Sequence, residues 1–169
     1  MIENIDHILA TLGRHQVDYL LIGGVNFLLR HAPVLTYDVD VWIEDTLDNR
    51  RRCEAALIEL QAEWGRSDHD WGPVATKPEG WLEWQSVFCL TGPYGAMDIF
   101  RSVLGLDLWS VCRGRAEAGR TASGTVFLGL SDADMLRCQL ALPEGTRNEA
   151  RVRYFQDSLG KGHDDRPAR

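Results

Sequence analysis

The sequence predicts a domain of the α/β or α+β class. Short apolar runs of strand character, bounded by Gly, Pro and Asp, alternate with longer amphipathic segments. Those amphipathic segments precede, separate and follow the runs, as expected of a sheet flanked by helices. Internal repeats and an interdomain linker are both missing, so residues 1–159 read as one domain. The last ten residues, GKGHDDRPAR (160–169), read as a polar, disordered tail.

A first helix is predicted over about 2–15, because Ile5, Ile8, Leu9 and Leu12 fall on one face. VDYLLIGG (17–24) reads as a short buried strand ending in a glycine pair, with a helix after it that Pro33 terminates. YDVDVWIE (37–44) is the second strand. Thr46 is placed to cap the helix LDNRRRCEAALIELQAEW (47–64), with Cys53, Leu57 and Leu60 as its apolar seam. Residues 65–83 are rich in Gly, Pro and Asp and read as an irregular loop. WQSVFCLTG and GAMDIF make two strands joined through TGPYG, a hairpin signal. A helical piece at about 107–118 and a strand at 124–130 follow. Ser131 with Asp134 resembles a capping box that opens the next helix, PEGT breaks the chain, and RNEARVRYFQDSL forms a final helix.

Composition narrows the function. A hydrophobic content of 44% with 25% charged residues is that of a globular domain, and no apolar run approaches bilayer length. The N-terminus has no basic-then-apolar leader, so the default expectation is a cytoplasmic protein with no membrane partner. Cys53, Cys89, Cys112 and Cys138 are scattered without a zinc spacing and read as buried or half-buried apolar residues. A formal charge of −7 opposes general binding to a polyanion; an RNA partner would need a local basic patch, at Arg50–Arg52 or between Arg147 and Arg153. Trp71, Trp81, Trp84 and Trp109 read as core or rim packing, and His69 within SDHDW as part of a polar loop.

TYDVDVWIE (36–44) is the stretch that decides between an enzyme and an ordinary solvated strand. Side chains at i and i+2 of a strand share a face, so Asp38 and Asp40 stand together opposite Val39, Val41 and Ile43. On its own, such a pair is compatible with a solvated strand face. Two further features point to a site. Gly23-Gly24 ends a strand and opens a helix, where backbone N–H groups can approach phosphate oxygens. Asp98 is a lone acid in the otherwise apolar GAMDIF. Three acids on neighbouring strands beside a glycine turn form a hard-oxygen set suited to Mg²⁺ and a triphosphate.

The order LLIGG, about a dozen residues, DVDV, then a distant MDIF resembles the nucleotidyltransferase superfamily related to DNA polymerase β. It is most similar to small prokaryotic nucleotidyltransferases, including those of toxin–antitoxin and abortive-infection systems. The likeness spans about residues 17–142 and includes the Ser131–Asp134 helix start. It implies a mixed β-sheet flanked by helices, with C-terminal helices. It also implies that Gly23 and Gly24 lie against a nucleoside triphosphate and that Asp38, Asp40 and Asp98 ligate Mg²⁺ or Mn²⁺. Asp98 would also deprotonate the attacking hydroxyl. Catalysis would then use paired ions in an in-line displacement at the α-phosphorus. Gln139 stands where such relatives place a lysine, TRNEARVRYF replaces their Arg-x-Lys-Asp pattern, and Thr36 alone remains of an Arg/Thr pair.

Two functions follow. The first is a metal-dependent transferase moving a nucleoside monophosphate to a hydroxyl of RNA, protein or a small molecule. The second is a catalytically silent module that binds a toxin or antitoxin partner.

Overall fold

The computed structural model describes residues 2–164, with side chains over 4–161. Helix α1 (Ile2–Arg14) leads into strand β1 (Tyr19–Leu21), helix α2 (Gly23–Arg30) and strand β2 (Asp38–Ile43). Helix α3 (Leu47–Glu59), the strand pair β3 (Glu63–Trp64) and β4 (Gly72–Pro73), and the hairpin β5 (Val87–Leu90) and β6 (Ala96–Phe100) follow. The chain closes with α4 (Trp109–Gly114), β7 (Glu117–Arg120), β8 (Val126–Gly129), α5 (Asp132–Ala141) and α6 (Glu149–Asp164).

Six strands form one mixed sheet in the order β5-β6-β2-β1-β8-β7. The expected alternation in β2 is realised. Val39, Val41 and Ile43 join Met97 and Ile99 of β6 on one face, packed against Ile8, Leu9 and Leu12 of α1 and Leu57 of α3. The other face buries Leu20, Ile22 and Trp42 under Met135 of α5 and Phe155 of α6. Each face buries leucine- or isoleucine-sized side chains at about 1.5–3 kcal/mol apiece, so the sheet is clamped from both sides. Asp38, Asp40 and Asp98 lie on the second face, beyond the helices that cover Trp42.

Local chemistry fixes the helix starts. Thr46 Oγ1 accepts from the Asn49 N–H, and Ser131 Oγ accepts from the Asp134 N–H, as the capping signals predict. Asp134 is fully buried and receives two hydrogen bonds from the Arg115 guanidinium, Nε at 2.6 Å and Nη2 at 2.7 Å. Helix α2 is tied to the far side of the sheet by Asn26 Nδ2 and Arg30 Nη1, both donating to the Leu130 carbonyl.

Four expectations need correction. Helix α3 ends at Glu59 because Gln61 adopts a left-handed backbone (φ 53°), and Glu63 and Trp64 pair with Pro73 and Gly72. Within the segment read as an irregular loop, the structure therefore has a short strand and two 3₁₀ turns, Val74–Thr76 and Trp81–Glu83. The helical piece at 107–118 is only α4. Glu117–Arg120 is an edge strand despite its poor strand propensity, because β8 offers it a full antiparallel ladder. The tail assigned to 160–169 is helical as far as Asp164, and its last five residues lie outside the described residues.

Among the tryptophans, Trp81 stacks on Trp64 in the core, whereas Trp71 and Trp84 are exposed at the rim. No helix of the described residues is long and apolar enough to cross a membrane.

Candidate active site

Strands β2 and β6 run parallel, with Asp40 level with Asp98 and Asp38 level with Ala96. This register brings one carboxylate oxygen from each of Asp38, Asp40 and Asp98 within 4.8 Å of the others. The three acids named from sequence thus meet at one sheet end. An all-carboxylate set of that size offers hard oxygen donors, the kind that Mg²⁺ and Mn²⁺ take.

The charges are crowded. Burial, then repulsion from Asp38 and Asp98, pushes the Asp40 carboxyl up to about 7. The Gly24 N–H and the Arg151 guanidinium pull the other way. The Asp98 carboxyl is likewise raised, chiefly by burial, while a hydrogen bond from the Cys89 thiol holds it back. A cation would relieve this excess, so the residues fit a divalent ion.

The glycine pair serves the site in a way that its sequence signal leaves open. Gly23 has φ +65°, and a Cβ there would fall 1.9 Å from Asp40 Oδ2. Only glycine lets the start of α2 come against that carboxylate. A Cβ at Gly24 would meet Thr36 Oγ1 at 2.5 Å and Arg151 Nη2 at 3.0 Å. Both glycines are therefore contact points between the acid cluster and its surroundings.

Two cavities flank the cluster. One, of about 720 Å³, is lined by Gly23, Asp40, Phe100, Ser102, Gln139 and Arg151 among others. The other, of about 260 Å³, is bordered by Thr36, Tyr37, Asp38 and Tyr94.

Two residues of the site escaped the sequence reading. Cys89 was expected to be a buried or half-buried apolar residue. It is exposed at its outer side and pairs across the hairpin with Asp98, and partial desolvation of the thiol, followed by the Asp98 charge, lifts it to about 11. Its period-2 position in VFCL beside MDIF was the only signal. Arg151 lies far along the chain, in the stretch 147–153 that the sequence offered only as a basic patch for RNA, and only the folding of α6 onto α2 delivers it to the acids. The other basic patch is already neutralised. Arg50 pairs with Asp45 and Glu83, Arg51 with Glu79, and Arg52 with Asp18. The exposed His69 lies outside the site.

The sequence matches no protein-family model and no curated protein. Solved structures do resemble the chain. The solution structure of the antibiotic-resistance factor ANT(2'')-Ia aligns with a TM-score of 0.62 at 16% identity, over 95% of this chain and 85% of that one. A lincomycin-bound lincosamide antibiotic adenylyltransferase, LnuA, aligns at 0.61 with 13% identity, over 91% and 95%. A crystal structure of ANT(2'')-Ia with adenylyl-2''-tobramycin aligns at 0.59 with 17% identity, over 96% and 91%.

Proposed function

From a chain with the fold of the nucleotidyltransferases, we infer a transferase that moves a nucleoside monophosphate from a nucleoside triphosphate to a hydroxyl of a small molecule. The observation that carries this reading is the convergence of Asp38, Asp40 and Asp98 beside Gly23 and a large cavity. A cavity of about 720 Å³ lies within the usual range for sites of cofactor size.

Asp38, Asp40 and Asp98 would hold Mg²⁺ or Mn²⁺, which when bound supplies charge neutralisation at the phosphates and lowers the pKa of a coordinated hydroxyl. The chain's own groups do the rest. Asp98, with its raised carboxyl, is suited to accept the acceptor's proton. The acceptor oxygen then forms a bond to the α-phosphorus as the bond to pyrophosphate breaks, and the proton goes to Asp98. The Gly24 N–H holds the Asp40 carboxylate in place during this exchange.

A small acceptor is favoured over RNA for an electrostatic reason. The arginines at 50–52 are spent on ion pairs, Arg147 donates to the Leu140 and Leu142 carbonyls, Arg151 lies in the cavity with Asp40, and the chain carries −7 overall, so a polyanion would meet little attraction over the surface. The same acidity suits a hydroxylated acceptor that carries amines. Two of the similar structures hold antibiotics or their adducts, adenylyl-2''-tobramycin and lincomycin, in keeping with such an acceptor.

Labelled triphosphates, Mg²⁺ and a panel of hydroxylated amines test the reading. The expected result is pyrophosphate release with label on one acceptor, lost in Asp38→Ala and in Asp98→Ala. Label transfer that persists in Asp38→Ala refutes this site. A folded wild type that labels nothing, with hydroxylated amines, RNA or protein as acceptor, leaves the silent binding module as the better account.

A further inference from the structure

Arg151 is the one cation among the residues lining the larger cavity. It is half-buried, its Nε is buried without a hydrogen-bond partner, and its guanidinium forms no ion pair among the described residues. Both other arginines with a buried, unpartnered Nε among the described residues have terminal nitrogens occupied: Arg50 donates to Asp45 and Glu83, and Arg52 to Asp18. The Arg151 guanidinium instead lies 5.9 Å from the Phe27 ring centroid and against Gly24. It also sits in the first turn of α6, where the helix dipole disfavours a positive charge. A buried Nε–H with no acceptor is costly, and the terminal nitrogens beside it make no ion pair among the described residues, so an acceptor brought into the cavity would satisfy the fork. Asp40, across the same cavity, is closest to a counter-charge, yet no hydrogen bond joins the two.

A chain of hydrogen bonds explains why the guanidinium is held there. Gln139 Oε1 on α5 accepts from the Asn148 N–H at 2.8 Å. Asn148 Oδ1 accepts from the Arg151 N–H at 3.0 Å, capping α6. Gln139 therefore sets where α6 begins, and through Asn148 it sets where Arg151 enters the cavity.

We propose that Arg151 binds the non-transferred phosphates of the nucleoside triphosphate, and that Gln139 is the positioning residue that holds Arg151 at them. This rests on the transferase reading above. The guanidinium meets the β- and γ-phosphate oxygens with its fork of N–H donors, a charge-assisted and geometrically specific contact. When the α-phosphorus is attacked, the same contact stabilises the charge that collects on the departing pyrophosphate. Gln139 thus occupies its position as a fastener for α6, and the phosphate charge is supplied one helix later.

Inorganic tripolyphosphate is the probe, titrated with Mg²⁺ into the full chain, with adenosine as a phosphate-free control. Arg151→Gln should weaken tripolyphosphate binding by about ten- to hundredfold, leave adenosine binding unchanged, and leave the ligand-free melting temperature no lower than that of the wild type. Arg151→Lys, which keeps the charge but not the fork, should fall between. Gln139→Ala should lose affinity in the wild-type background and lose nothing more when combined with Arg151→Gln. Tripolyphosphate binding that is equally tight in Arg151→Gln overturns the assignment and leaves the transferase reading standing. Equal losses of adenosine and tripolyphosphate overturn it too, since they mark a general structural defect. A wild type that binds no tripolyphosphate overturns both.

Discussion

Replacing Asp40 with asparagine removes one of three crowded charges while keeping the shape of the side chain. In the folded chain the Asp40 carboxyl rises from 3.8 to about 7, roughly three units, or about 4 kcal/mol at ~1.36 kcal/mol per unit. The sign follows from proton counting. Between about pH 4 and 7 the folded state holds a proton on Asp40 that the unfolded state has released, so raising the pH through this window destabilises the wild type. The stabilisation is complete below about pH 4 and gone above about pH 7. Asparagine has no such titration. The Gly24 N–H bond weakens when its acceptor loses charge, leaving a net advantage for Asp40→Asn of about 2–4 kcal/mol at pH 8. Urea unfolding of both proteins in EDTA, in steps from pH 4 to 8.5, measures it as a difference that grows with pH and then levels. Millimolar Mg²⁺ or Mn²⁺ at pH 8 should narrow the gap by stabilising only the wild type. A difference between the two proteins that stays flat from pH 4 to 8.5 would refute the crowding on which the site is argued.

Gly23→Ala should be among the most disruptive small changes. The left-handed backbone alone costs about 1–3 kcal/mol, and the added Cβ would fall 1.9 Å from Asp40 Oδ2. Unfolding in urea should show that loss, and the divalent-ion response should disappear with it; a variant of wild-type stability would show that Gly23 and Asp40 are not in contact. Asp134→Asn removes the charge that receives both Arg115 hydrogen bonds from within a fully buried position. It should cost about 2 kcal/mol in thermal or urea unfolding, without changing tripolyphosphate binding.

What the sequence revealed followed the strength of local pattern. The strands at 38–43 and 96–100 are short apolar runs whose acids sit at period-2 positions, so both the strands and the acids were legible. Thr46 and Ser131 announced their helices because capping is a local bond. Glu117–Arg120 was illegible because none of its residues favours a strand. Its conformation comes from β8, and Gly119 contributes space, since a Cβ there would strike the Phe127 ring at 2.3 Å. Gln139 was legible as a missing lysine, but its bond to Asn148 was not, because that bond requires α5 and α6 to be packed first. Arg151 was hidden for the same reason. A helix position tells which face a residue takes, and nothing in its neighbours says that Gly24, more than a hundred residues earlier, lies opposite.

The level pairing of Asp40 with Asp98 ties the soundness of the molecule to the presence of its chemistry. The turn at 91–95 determines where β6 begins, and a slip of one residue there would turn Asp98 toward the side of the sheet occupied by Val39 and Val41. Met97 and Ile99 would at the same stroke be carried out among the acids. Such a molecule would have an acid in its oil and oil on its acidic side, and it would be too unstable to accumulate. The chain therefore inspects its own assembly: copies stable enough to persist are those in which the carboxylates have met.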